Sequence, residues 1–329
     1  MTCRRPLPAA REIGVKKKPI VYGVGRRPKV LAEGFEAIDL RCGQCRSCRL
    51  EYSRVWAVRL IHEAAYWWEF HSLPSIFLTL TYDEKHVPFY GELVKYELQD
   101  FLKRLRWHSG AQFRYYGVGE YGSKCPDHKI VDCPICGPIQ RPHFHVVIFG
   151  WSPADKKMLC TREGEACYSS ETIAKAWQKG SHEFGSCTFE SCAYVSRYIM
   201  KKQKGDNQHV ADHYCKYFPW LDVWVDMPHE FAIMSRGQRT GMGGIGTRFY
   251  ESFRDDMYPS DETPIPGRGV IGKPPRFYDS LYEREDPESL EEIKAARRKA
   301  MAESLEDGPS LESRAKVEDS RMALYQRKL

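Results

Sequence analysis

Two histidines one residue apart, His143-Phe144-His145, open a run of β-branched and aromatic residues, Val146-Val147-Ile148-Phe149. In a strand, residues i and i+2 face the same way, so both imidazoles project together while Phe144 turns to the opposite, apolar side. Two neutral imidazoles side by side make a metal-binding pair. A hard ion such as Mg²⁺ or Mn²⁺ would take an oxygen ligand as well, and Glu120, ending the preceding strand-like segment, is the candidate. Further on, Tyr194 and Tyr198 are four apart, on one face of a helix, with Lys201 and Lys202 one turn later. A phenol of pKa about 10 needs cationic help or a metal-polarised phosphate before it can attack phosphorus. Lysines on the same face would stabilise the charge. Each pair also has a plainer reading: two surface histidines on a half-buried strand, and tyrosines packed as the apolar stripe of a helix.

The chain has 12 cysteines, and six fall in two tight clusters. No apolar block that would read as a secretory signal opens the sequence, so the expected compartment is the cytosol. There, clustered cysteines point to metal rather than to disulfides. Cys125-x2-His128-x4-Cys133-x2-Cys136 lies between Glu120 and His143. Its four ligands can close a tetrahedral zinc site, which predicts a small zinc-pinned hairpin inserted at 121–140. Cys42-x2-Cys45-x2-Cys48 supplies three ligands, and Cys3 is the candidate for a fourth. The expectation is one or two structural Zn²⁺. Iron–sulfur ligation of the N-terminal cluster and reduced, unliganded thiols remain open.

The elements that must position these groups follow from periodicity. An irregular basic arm over 1–35 precedes the first cysteine cluster. A helix spans Tyr52–Phe70, with apolar residues at helical spacing. Ser75–Asp83, Phe113–Gly122 and His143–Gly150 read as strands, and Val94–Trp107 as a helix with one apolar and one basic face. A helix at Glu171–Gln178, a strand at Gly185–Glu190 and a helix at Ser191–Lys202, capped by Ser191, come next. A glycine-rich turn, a proline-rich linker and a polar helix over Pro287–Glu306 complete the chain. This order predicts an α+β fold, a central antiparallel sheet flanked by helices.

Bulk properties agree with a globular DNA-binding chain. Hydrophobic residues make up 42% and no apolar run reaches the length of a membrane span. Net charge is +6, concentrated in an arm with nine Lys/Arg against one Glu in residues 1–30, which suits a phosphate-binding face as well as a solvated tail. Arg46, Arg49, Lys103, Arg104, Arg106, Tyr115 and Tyr116 are candidates for binding single-stranded DNA by charge and stacking. A solvated helix face and a packed strand are the alternative. No G-x-x-x-x-G-K-[ST] loop is present, so no helicase is encoded here.

Taken together, CGQCRSCRLEYSRVWA (42–57), FLTLTYD (77–83), GEYG (119–122), RPHFHVVIFG (141–150) and YVSRYIMKK (194–202) resemble the HUH endonucleases. They are most similar to the replication initiators of small single-stranded DNA microviruses of the gokushovirus type. The resemblance covers roughly residues 40–280. It implies His143, His145 and Glu120 as metal ligands, and Tyr194 and Tyr198 as alternating nucleophiles in rolling-circle replication. One tyrosine would form a 5′-phosphotyrosine, and the other would cut the regenerated origin so that the ends rejoin. The Cys125–Cys136 insertion departs from the direct GEYG-to-RPHFH connection of that group. The implied organisation is an arm with a cysteine cluster (1–50), a nuclease domain (51–255), a proline-rich linker (256–285) and a helical tail (286–329). The implied partners are a single-stranded or supercoiled viral origin and a host helicase and polymerase, in the bacterial cytoplasm. A relaxase, plasmid initiator or transposase of the same chemistry, and a non-enzymatic zinc-containing nucleic-acid-binding protein, are the competing readings.

Overall fold

Backbone pairing begins earlier than the sequence reading expects. In place of an irregular arm, β1 (Leu7–Glu12), β2 (Ile20–Val21) and β3 (Phe35–Leu40) form an antiparallel sheet in the order β2-β1-β3. Ala9 and Ala10, buried in β1, are its packed side, and the charges that flank them conceal the alternation. The computed structural model describes residues 3, 6–14, 19–22, 31–122, 139–162, 164–201, 213–237, 241–258, 260–270, 272–306, 313, 316, 317 and 320. It divides into two units, one of Met1–Tyr52 with Asp279–Leu329 and one of Ser53–Tyr278. The expected zinc hairpin at 121–140 falls largely at 123–138, outside the described residues.

The larger unit is built on seven strands. In chain order the elements are α1 (Arg46–His71), β4 (Ile76–Thr81), α2 (Lys95–Ser109), β5 (Arg114–Tyr121), β6 (Pro142–Phe149), β7 (Lys157–Arg162), β8 (Glu165–Ser169), α3 (Glu171–Ala176), β9 (His182–Ser186) and α4 (Phe189–Lys201). β10 (Cys215–Phe218), β11 (Val223–Asp226), β12 (Phe231–Met234), α5 (Thr247–Met257), β13 (Pro264–Ile265), β14 (Gly269–Val270) and α6 (Arg276–Glu285) follow, and α7 (Pro287–Glu306) belongs to the first unit. The sheet order is β12-β5-β6-β4-β9-β8-β7, antiparallel throughout. The α+β expectation therefore holds.

Alternation divides the sheet into two faces. On one, Leu78, Leu80, Phe144, Val146 and Ile148 pack with Leu98, Phe101, Leu102 and Leu105 of α2 and with Ile173 of α3. On the other, Tyr116, Val118, Val147 and Phe149 pack with Trp56, Leu60 and Ile61 of α1 and with Cys192 and Val195 of α4. Gly119 faces the α2 side, where a Cβ would sit 2.7 Å from the Phe231 ring, so only glycine admits β12 so closely.

Helix ends are locally specified. α2 stops at Gly110, whose left-handed φ of 65° lets its N–H close on Arg106 O. α4 begins two residues before the expected Ser191. Thr188 Oγ1 accepts from Ser191 N, and Ser191 Oγ accepts from Thr188 N. Thr188 is thus the cap, and Ser191 is its reciprocal partner three residues on. The expected strand at 185–190 accordingly shifts back to β9. The proline-rich stretch is no open linker: it carries β13–β14 and the fully buried Tyr278. The polar helix over 287–306 forms as expected, with Asp286 Oδ1 accepting from Ser289 N at its start. No helix among the described residues is long and apolar enough to cross a membrane.

Candidate metal centre and nucleophile

β5 and β6 pair with Glu120 opposite His143 and Val118 opposite His145. β4 flanks β6 on its other edge, with Thr79 opposite His145 and Thr81 opposite His143. Directly opposed residues of adjacent strands share a face, so Glu120, both histidines and Thr79 converge on the α1/α4 side. The insertion at 123–138 does not disturb this register. The ladder continues past β5 and β6 through Gly122 N to Arg141 O (3.0 Å) and Gln140 N to Gly122 O (3.1 Å).

One carboxylate oxygen addresses both rings. Glu120 Oε1 lies 2.5 Å from His143 Nε2 and 3.3 Å from His145 Nε2, and the three donor atoms lie within 4.8 Å of one another. The other ring nitrogens are engaged from behind. Thr79 Oγ1 is 3.0 Å from His145 Nδ1, and the Arg141 carbonyl is 3.3 Å from His143 Nδ1. A donor proton held at Nδ1 leaves the Nε2 lone pair for a metal and fixes the ring's orientation. Glu120 and His145 are buried, at 2% and 4% exposure, while His143 is half-buried. One oxygen and two nitrogens gathered on one side fit a divalent metal with open coordination positions. Phe77 stacks on His145, with centroids 5.5 Å apart and planes at 15°.

The Tyr194 ring meets this centre edge-on, its centroid 5.3 Å from that of His145 and 6.0 Å from that of Phe77. Tyr194 is 42% exposed, so the phenol adjoins the buried donors and still reaches solvent. Beneath it α4 is anchored by Cys192 and Val195, both fully buried. Tyr198 and Lys201 lie on the same helix; their side chains, and Lys202 altogether, fall outside the described residues. A cavity of about 380 Å³ opens beside the centre, lined by Phe77, Thr79, Glu183, Gly185 and Ser191 among others. Thr79 and Phe77 escaped the sequence reading. Their signal is the alternation in Phe77-Leu78-Thr79-Leu80-Thr81, which puts the two threonines on the same face as Phe77.

The expected DNA contacts fare differently. Tyr116 is fully buried, its ring 5.0 Å from that of Trp56, and cannot stack on a base. Tyr115 packs against the α2-side core, opposite the imidazoles, with the Arg106 guanidinium over its ring. Arg106 also donates to Phe113 O and Arg104 to Ala176 O, while Lys103 pairs with Asp100. These five sit on the wrong face or are committed to packing, so they form no DNA surface around the metal centre. Arg46 and Arg49 lie in the first turn of α1, interleaved with Cys45 and Cys48. Cys3, Cys42, Cys45 and Cys48 come together, with their sulfurs within 4.8 Å of one another. Cys125, His128, Cys133 and Cys136 lie outside the described residues.

The rest of the α1 side is held by a buried ion pair. Arg114 Nη1 lies 3.0 Å from Glu63 Oε1, and Glu63 also accepts from Trp67 Nε1 and, through Oε2, from Gly246 N at 2.7 Å. Gly246 has φ 83° and starts α5; a Cβ there would sit 2.5 Å from Tyr278 Oη. The second half of the glycine-rich segment is therefore a fixed joint rather than a flexible turn.

Among known proteins, the model of the ORF2-type replication-associated protein family matches residues 75–203, a span that contains β4 through α4 and the whole centre. Replication-associated protein VP4 of Bdellovibrio phage phiMH2K is 31% identical over 304 residues, covering 90% of this chain and 81% of the relative. Replication-associated protein ORF2 of Spiroplasma virus 4 is 27% identical over 279 residues, covering 80% and 74%. Replication-associated protein ORF4 of Chlamydia phage 1 is 30% identical over 176 residues, covering 50% and 39%. No solved structure matches. With similarity running through nearly the whole chain and the family span enclosing the carboxylate, the imidazoles and the tyrosine, the chain belongs to the ORF2-type family of phage replication-associated proteins.

Proposed function

We propose that this protein initiates rolling-circle replication of a phage genome by cutting and rejoining single-stranded DNA through tyrosine. One observation carries the reading: the Tyr194 ring lies 5.3 Å from His145, whose Nε2 shares the Glu120 oxygen with His143. A nucleophile beside a three-donor metal site is what phosphoryl transfer at a diester requires.

Glu120, His143 and His145 would hold a Mg²⁺ or Mn²⁺ ion, and this ion would supply Lewis-acid polarisation and positioning of the scissile phosphate. Thr79 and the Arg141 carbonyl keep the two rings in register. Tyr194 attacks phosphorus through its phenol oxygen, losing its proton to solvent. The bond from phosphorus to the 3′ oxygen breaks, that oxygen gains a proton, and the 5′ end stays on the tyrosine. The new ester retains the reactivity of the diester, so a 3′ hydroxyl can displace the phenol and close the strand without ATP. Tyr198 would act as the second nucleophile while the first is occupied, with Lys201 and Lys202 lowering the cost of phenolate charge. The cavity beside Phe77 and Thr79 would receive a nucleotide next to the cut. With no nucleotide-binding loop of its own, the protein would recruit a host helicase and polymerase in the bacterial cytoplasm.

The test is a covalent adduct. Single-stranded oligonucleotides tiling the phage origin are incubated with the full chain and Mn²⁺, then run on a denaturing gel. A shifted DNA–protein band is expected, absent for the Tyr194→Phe, Tyr198→Phe double variant. An undiminished band from that variant would refute the assignment of nucleophiles.

A further inference from the structure

Four thiols of the smaller unit meet where its sheet ends. β1 and β3 pair from Glu12↔Phe35 to Leu7↔Leu40, and the chain just beyond that last pair carries Cys3 on one side and Cys42 on the other. Cys45 follows in the turn before α1, and Cys48 stands in the first turn of the helix. Cys3 Sγ lies 3.5 Å from Cys42 Sγ and 3.8 Å from Cys45 Sγ, and all four sulfurs lie within 4.8 Å of one another.

Those separations select among the chemistries open to four thiols. An ion with sulfur ligands at about 2.3 Å in a tetrahedron separates them by about 3.8 Å, from the geometry of that solid. A disulfide would draw one pair to about 2 Å and leave the other two sulfurs with no role. An iron–sulfur cluster spreads its thiolates around several iron atoms, farther apart than one ion does. Two backbone amides also point at sulfur: Cys42 N donates to Cys3 Sγ at 3.3 Å, and Cys45 N donates to Cys42 Sγ at 3.2 Å. Amide donors of this kind orient and stabilise ligating thiolates. Arg41, Arg46 and Arg49 are interleaved in sequence with the four, and their charge opposes the net negative charge of a metal tetrathiolate.

The geometry points to a structural zinc site formed by Cys3, Cys42, Cys45 and Cys48, fastening the N-terminal segment and the β1–β3 pair to the first turn of α1. Four protein sulfurs fill a tetrahedral ion and leave no position for water or substrate, so this site holds structure and performs no reaction. Binding releases the thiol protons and couples zinc to folding of this unit. None of this depends on the nuclease reading.

Metal analysis of the purified full chain is the test, read as differences so that zinc held by Cys125, His128, Cys133 and Cys136 does not interfere. Cys3→Ser and Cys45→Ser should each lose one equivalent of zinc relative to the wild type, and the double variant should lose that same one, not two. Independently of whether the variants fold, the wild-type protein is alkylated with and without a chelator and mapped by mass spectrometry. Cys3, Cys42, Cys45 and Cys48 should be protected together and become reactive together. Unchanged zinc in both variants, alkylation indifferent to the chelator, an internal disulfide among the four, or iron in place of zinc would each overturn the assignment.

Discussion

The two faces of the seven-stranded sheet are made by the same strands in alternation and are put to different uses. On the α2 side, β4 and β6 contribute Ile76, Leu78, Leu80, Phe144, Val146 and Ile148, all apolar and buried. One residue over, on the α1/α4 side, the same strands contribute Phe77, Thr79, Thr81, His143 and His145, with Glu120 from β5 beside them. Burying polar groups is costly unless each finds a partner. Here the partners come from neighbouring strands, at register positions fixed by the apolar residues behind them. One face therefore supplies the stability that lets the other hold a carboxylate and two imidazoles in a fixed arrangement.

Breaking each face should give different signatures, the largest on the reactive side. His143→Ala or His145→Ala should lower Mn²⁺-dependent adduct formation about a thousandfold or more, by removing a ligand to the phosphate-polarising ion. Melting curves of the same samples check that the fold survives. On the opposite face, Phe101→Ala, at a fully buried position, should cost about 3–5 kcal/mol in chemical denaturation. Adduct formed per folded molecule should not change; a large change there would mean the faces are not separable.

A third imidazole sharpens the comparison. His62 is buried on α1, with Nε2 2.7 Å from Pro264 O, Nδ1 3.0 Å from Tyr278 Oη, and its ring stacked on Phe249. Burial pushes its pKa down from 6.5 to about 4. It is neutral in the fold, so its contribution is complete above about pH 6.5. The contribution is lost as pH falls toward about 4, where the unfolded chain binds the proton first. Between those limits stability should fall by roughly 3 kcal/mol, and His62→Gln should flatten that slope in denaturation measured across pH. The smallest effect is expected at Thr79. Thr79→Val keeps the shape and removes the bond to His145 Nδ1, so about ten- to a hundredfold more Mn²⁺ should be needed for half-maximal adduct. The rate at saturating metal should be nearly restored.

Much of the reactive face is legible in the sequence because a period of two is a strong constraint. His143 and His145 must share a face once Val146–Phe149 make them a strand, and β4, β5 and β6 fall within the expected windows. What the sequence hides is pairing. Nothing local says that Thr79 stands opposite His145, or that the four residues of β12 add to the edge of β5. The β7–β8 hairpin is mostly exposed on β7 and reads as loop, and the N-terminal strands are masked by their basic neighbours. Tyr116 shows a further limit: its aromatic, basic-flanked context suits base stacking, but it lies under Trp56 in the core. Cys3 is accessible only through coordination number, because three clustered thiols call for a fourth.

The ladder bonds at Gly122 and Gln140 have a consequence for how such a protein can diverge. They clamp the two chain ends that bracket 123–138 side by side, so whatever lies between behaves as a cassette. Its length and content can be rewritten by selection, or replaced by an engineered turn or reporter, without sliding the carboxylate strand past the imidazole strand. A lineage is thereby free to remodel the segment next to its reactive centre while the chemistry stays in place.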